Sequence, residues 1–94
     1  MIIDEISKKH YEWVERMGWH NKTVLEALAL IASEVGEAIN ECRGEHPSAA
    51  LGGELADIVL RVIDLAHWQQ IDLSAEIESK MYLNEARGSR ERRF

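Results

Sequence analysis

Four carboxylates fall into two pairs, Glu34 with Glu37 and Glu54 with Asp57, each pair three residues apart. On a helix that step sets two side chains on one face, one above the other. Two such pairs on antiparallel neighbours bring four carboxylates to one point. Four anions at close range repel each other unless cations lie between them. A ligand set made only of oxygen suits Mg2+, with Mn2+ as a substitute, far better than zinc or copper. Cys42 is the single cysteine and has no zinc-site spacing around it, so it is expected to be inert packing.

The element that must carry the second pair is the stretch 53–68. Read as a helix, it has Leu55, Ile58, Val59, Leu60, Val62, Ile63, Leu65 and Ala66 over nearly the whole circumference. One narrow stripe is left for Glu54, Asp57, Arg61 and Asp64. A helix apolar almost all round is normally buried, and buried charges need a partner or a metal. The stripe is therefore expected to run as a polar seam into the interior of a bundle, with Arg61 as counter-charge to Asp64 or Glu54.

The first pair sits on a helix that opens at Thr23, with Glu26 at the spacing of a capping box, and runs to about Arg43, with Gly44 as its stop. Its expected inward stripe is Leu28, Ile31, Ala32, Val35, Ile39 and Cys42, with Leu30, Glu34, Glu37 and Glu41 on the other side. Ahead of it, 2–17 has a ragged helical pattern ending at Gly18, and 19–22 is a connector. The loop 45–53 has room for a short helical turn begun by Pro47. Asp72 is an N-cap for a last helix to about Arg87, ended by Gly88, with Leu73, Ile77 and Met81 inward. The pattern predicts an all-α antiparallel bundle of about four helices, one domain over 1–94 with a short basic tail at 88–94.

Composition narrows the partners. A chain of 94 residues buries only roughly 60–65% of its unfolded surface, yet 46% of this one is hydrophobic. A homodimer or homotetramer sharing a core is expected. The formal net charge of −6 disfavours nucleic acid, which binds through positive charge. It leaves open a phosphorylated small molecule, because bound cations reverse the sign of a site locally. With neither a signal-peptide pattern nor an apolar run near ~20 residues, no membrane partner is expected and the location is read as cytoplasmic.

The segments Ile31-Ala32-Ser33-Glu34-Val35-Gly36-Glu37-Ala38 and Glu54-Leu55-Ala56-Asp57-Ile58-Val59 resemble the two signature segments of the MazG-like all-α nucleoside triphosphate pyrophosphatases. That family has Glu-Glu-x-x-Glu on one helix and Glu-x-x-Asp on the next. The similarity extends through Arg61-Val62-Ile63-Asp64-Leu65-Ala66 to Lys80-x-x-x-Asn84-x-x-Arg87 and covers about 28–87. Two departures stand out: Ser33 occupies the place of the family's first Glu, and Gly-Ser-Arg-Glu-Arg-Arg replaces a His/Gly/Lys-rich tail.

The resemblance implies hydrolysis of (deoxy)nucleoside triphosphates between the α and β phosphates, clearing non-standard or excess nucleotides. Glu34, Glu37, Glu54 and Asp57 would hold Mg2+, and one of them, or Glu41, would take the proton of the attacking water. Lys80, Asn84 and Arg87, four and three residues apart on one helical face, would bind phosphates or the product pyrophosphate. Trp19, His20 and Asn21 would stack on and read the base, with Trp68 also lining the pocket. Arg61 and Asp64 are supports, Arg61 having phosphate contact as its second reading.

Two other functions compete. A di-iron bundle needs Glu-x-x-His pairs, for which the chain offers only Asp64-x-x-His67. A non-catalytic oligomerisation or partner-binding module would use the seam as a buried network fixing register. Dependence on Mg2+ separates the enzyme from the module.

Overall fold

The computed structural model describes residues 2–88, which form four α-helices and no strand: α1 (Ile2–Arg16), α2 (Val24–Asn40), α3 (Leu51–Trp68) and α4 (Leu73–Arg87). The basic tail from 89 lies outside the described residues. No helix among them is long and apolar enough to cross a membrane.

Local chemistry sets most of the ends. Gly18 has φ +72°. In that conformation its N–H donates to the Glu15 carbonyl at 3.0 Å and the Trp19 N–H to the Val14 carbonyl at 3.2 Å, a Schellman closure of α1. The capping box at α2 forms as expected: the Glu26 N–H donates to Thr23 Oγ1 and the Thr23 N–H to Glu26 Oε1. Asp72 caps α4 by accepting from the Ala75 N–H at 3.0 Å. α3 ends in a second Schellman closure, Gln70 to His67 and Ile71 to Ala66, with Gln70 in the left-handed region at φ 57°.

Two boundaries differ from the sequence reading. α2 stops at Asn40 rather than near Arg43, because the chain turns at Glu41 and Cys42, ahead of Gly44. No helical turn starts at Pro47. A turn at 49–50 leads directly into α3, which begins two residues before Gly53.

α3 is the central element, touching α1, α2 and α4, while α2 packs on α3 alone. Contacts between Ser7 and His67 and between His20 and Asp64 run α1 antiparallel to α3. The Glu34–Arg61 contact, with Glu37 beside Glu54, does the same for α2. Asp4 accepts from the buried Ser74 hydroxyl at 3.0 Å and ties the start of α4 to α1.

The buried core among the described residues is small: Val14, Ala38, Ile63 and Ala66, with Ile63 at 2% exposure. The radius of gyration of 15.5 Å exceeds the roughly 12 Å of a compact domain this long. The expected inward stripe of α2 is corrected accordingly. Leu28, Ala32, Val35, Ile39 and Cys42 are exposed, and Ala27, Leu30, Ile31, Glu34 and Ala38 are the covered side. α2 is apolar on two sides, and the one carrying Glu34 meets α3. The seam of α3 is only partly interior. Glu54 and Asp64 are half-buried, whereas Asp57 and Arg61 are exposed, as are the apolar Leu55 and Val59, because α2 covers only one side of that half of α3. Met81, expected inward, is exposed at 64%.

Candidate functional site

Because α2 and α3 run antiparallel, the three-residue step on each carries its two carboxylates to the same level. Glu34, Glu54 and Asp57 each offer an oxygen, and these oxygens lie within 4.8 Å of one another. Octahedral Mg2+ places its ligand oxygens about 2.9–4.2 Å apart, so a small inward movement of the side chains would close the set. Glu54 Oε2 is buried and, among the described residues, has no hydrogen-bond partner, the condition a cation at this point would relieve.

Glu37 stands beside this set of three and is exposed. A hydrogen bond with Glu34, then the negative charges of Glu34 and Glu54, hold its carboxyl above the ordinary value of 4.5. Three of the four carboxylates singled out by spacing, Glu34, Glu54 and Asp57, therefore meet, with Glu37 exposed beside them. Arg61, one turn beyond Asp57, donates from Nε to Glu34 Oε1 at 2.9 Å. Its partner is thus Glu34, not the Asp64 or Glu54 expected of it.

The cluster stands beside a cleft of about 490 Å³, whose wall includes Glu34, Asp57, Arg61 and Asp64 together with Trp13, Trp19, His20 and Trp68. Trp13 and Trp19 meet edge to face with centroids 5.1 Å apart. Both keep more than two-fifths of their surface exposed, which leaves indole faces for a flat ligand ring. The Schellman turn at Gly18 brings Trp19 back over α1 to make this contact.

His20 fixes that wall. Its side chain is 7% exposed, with Nδ1 in a 2.8 Å hydrogen-bond contact with Glu15 Oε2 and Nε2 in one of 2.9 Å with the Asp64 carboxylate. The ring stacks on Tyr11, which stacks in turn on His67, at 4.4 and 4.3 Å. Partial burial, then the Glu15 charge and a hydrogen bond to it, raise the Tyr11 phenol above its ordinary value and keep it a donor. Asp64 is thereby a pillar of the cleft, joining α3 to the connector after α1.

Other predicted residues are not brought to the cleft. Glu41 caps α2 and accepts from the Ser48 hydroxyl, so it belongs to the loop. Asn21 is exposed and off the wall, where Lys22 takes its place with Nζ donating to the Trp19 carbonyl at 2.7 Å. Lys80, Asn84 and Arg87 share the face of α4 but stand outside the cleft, and α4 does not contact α2.

The sequence reading missed His10, Trp13 and Glu15. The steps of three and four from His10 to Trp13 and Val14 put them on one face just before Gly18, the signal that aims them at Trp19.

No known family model, curated protein or solved structure matches this chain. The similarity to the MazG-like pyrophosphatases therefore rests on the motif residues of the sequence alone.

Proposed function

We propose that the chain is a MazG-like, Mg2+-dependent nucleoside triphosphate pyrophosphohydrolase that releases monophosphate and pyrophosphate. Its role would be to clear unwanted nucleotides in the cytoplasm. The observation that carries this reading is the meeting of three carboxylates from two helices, Glu34, Glu54 and Asp57, with one oxygen buried and unpartnered among the described residues, beside an aromatic-lined cleft. Glu34, Glu37, Glu54 and Asp57 hold the metal, and Mn2+ can replace Mg2+. When bound there, the metal supplies charge neutralisation for the triphosphate and activation of water. A carboxylate of the cluster accepts the proton of that water. Trp13 and Trp19 receive the base, with Trp68 on the same wall, and His20 holds the wall in place.

The exposed apolar sides of α2 and α3 favour a homodimer or homotetramer. They also favour the second reading, a non-catalytic oligomerisation module in which the ionic contacts serve as register. One assay separates the two: pyrophosphate release from a panel of ribo- and deoxynucleoside triphosphates with Mg2+, Mn2+ or chelator. Metal-dependent release, lost by at least about a hundredfold in Glu54→Gln as for other disabled catalytic groups, supports the enzyme. No turnover by a folded, assembled wild type favours the module.

A further inference from the structure

Arg61 is the feature of the cleft that the reading above leaves without a task. It stands four residues after Asp57 and seven after Glu54, on the same stripe of α3. Among the described residues its contact uses Nε alone, to Glu34 Oε1 at 2.9 Å. A guanidinium has five N–H donors in a planar fork. Among the described residues, the four on its terminal nitrogens have no partner. Glu34 is 14% exposed and Arg61 41%, so the pair has a covered end at the carboxylate and an open end at the cleft wall. A half-exposed ion pair made through one contact adds little stability. A positive charge set among carboxylates also opposes a cation entering there. The other cation on the wall, Lys22, stands at the aromatic side with its ammonium on the Trp19 carbonyl.

Resting on the nucleotide reading, we propose that Arg61 is a phosphate-binding residue that works from both ends of its fork. Nε orients Glu34 within the carboxylate cluster, and the terminal nitrogens grip the phosphate chain of the substrate and the pyrophosphate product. A planar fork can do both at once, whereas an ammonium cannot. The arrangement has a signature that plain architecture lacks. Loss of Arg61 helps the metal to bind and hinders the phosphates.

The test compares wild type, Arg61→Gln, Arg61→Lys and Glu54→Gln, with circular dichroism to show that each is folded. Mn2+ alone is titrated by the electron paramagnetic resonance of the free ion. Inorganic pyrophosphate is titrated by calorimetry into the Mg2+-saturated protein. Arg61→Gln is expected to bind Mn2+ several-fold tighter and pyrophosphate at least about tenfold weaker, the scale of one charge-assisted hydrogen bond. Arg61→Lys is expected to return Mn2+ affinity towards wild type without recovering pyrophosphate.

Unchanged pyrophosphate affinity in Arg61→Gln overturns the proposal. So does full recovery in Arg61→Lys, which would make charge sufficient, or a joint weakening of both ligands, which marks a structural pair. These results leave the metal reading standing if Glu54→Gln still lowers Mn2+ affinity. Wild type binding Mn2+ no better than Glu54→Gln overturns the two together.

Discussion

A proton on Glu37 performs, in the metal-free protein, part of what a cation would do, because it removes one negative charge from beside Glu34 and Glu54. Its carboxyl is held above 4.5 first by the hydrogen bond with Glu34 and then by those charges. The folded state therefore binds this proton more tightly than the unfolded chain does. The stability it lends is fully present below pH 4.5 and is lost as pH rises through the raised value. Glu37→Gln carries no charge to lose. Without metal, its melting temperature should exceed that of wild type at neutral pH, and the gap should close as pH falls below 4.5. Added Mg2+ should stabilise wild type more than the variant and narrow the gap from the other side. A gap that does not change with pH would show that Glu37 lies outside the cluster's field. The meeting of Glu34, Glu54 and Asp57 was legible in the spacing, whereas the exposed place of Glu37 beside them was not. Nor was the Arg61–Glu34 pair, since it depends on how α2 is rolled about its axis against α3.

That roll is decided at the scale of elements. The helix ends follow local rules that a sequence displays: Thr23 with Glu26, Asp72, and Gly18 at a left-handed position. α2 offers two apolar sides, Leu28/Val35/Ile39 and Ala27/Leu30/Ala38, and periodicity alone does not choose between them. The structure takes the side that carries Glu34 to Arg61 and to the α3 carboxylates. The end of α3 was equally illegible, because Gln70 holds the position where glycine is usual. A left-handed non-glycine residue costs about 1–2 kcal/mol, partly offset by the greater chain freedom of glycine. Gln70→Gly should therefore stabilise the fold by about 0.5–1 kcal/mol, a rise in melting temperature of about 2–6 °C. Gly18→Ala should destabilise it by about 1 kcal/mol or more. It should also weaken the quenching of Trp19 fluorescence by nucleotide, since that turn aims Trp19 at the cleft. Thermal melts of the two variants test both signs.

Across the whole molecule, α2 and α3 leave apolar surface open and α4 contacts α1 and α3 but not α2, an arrangement that a second copy would complete. Helical spacing puts Leu28, Val35 and Ile39 on one side of α2 and Leu55 and Val59 on one side of α3. In an antiparallel pair these sides coincide. Ile39 is 63% exposed and Val59 52%, too much apolar surface for a lone chain this small. Light scattering should find a dimer or tetramer, and Val59→Glu should shift it to monomer. Lys80 and Arg87, exposed on a helix that does not contact α2, could then serve the cleft of a neighbouring copy. Subunit mixing decides this. Glu54→Gln spoils the carboxylates and keeps α4, and Arg87→Ala does the reverse. If α4 acts across the interface, each mixed dimer regains one intact site. Equal mixing should then restore about a quarter of wild-type turnover, because half of the dimers are mixed. If α4 acts within its own chain, every site in the mixture has one defect. Turnover then stays at the level of the separate variants, and the basic face of α4 belongs to some other contact.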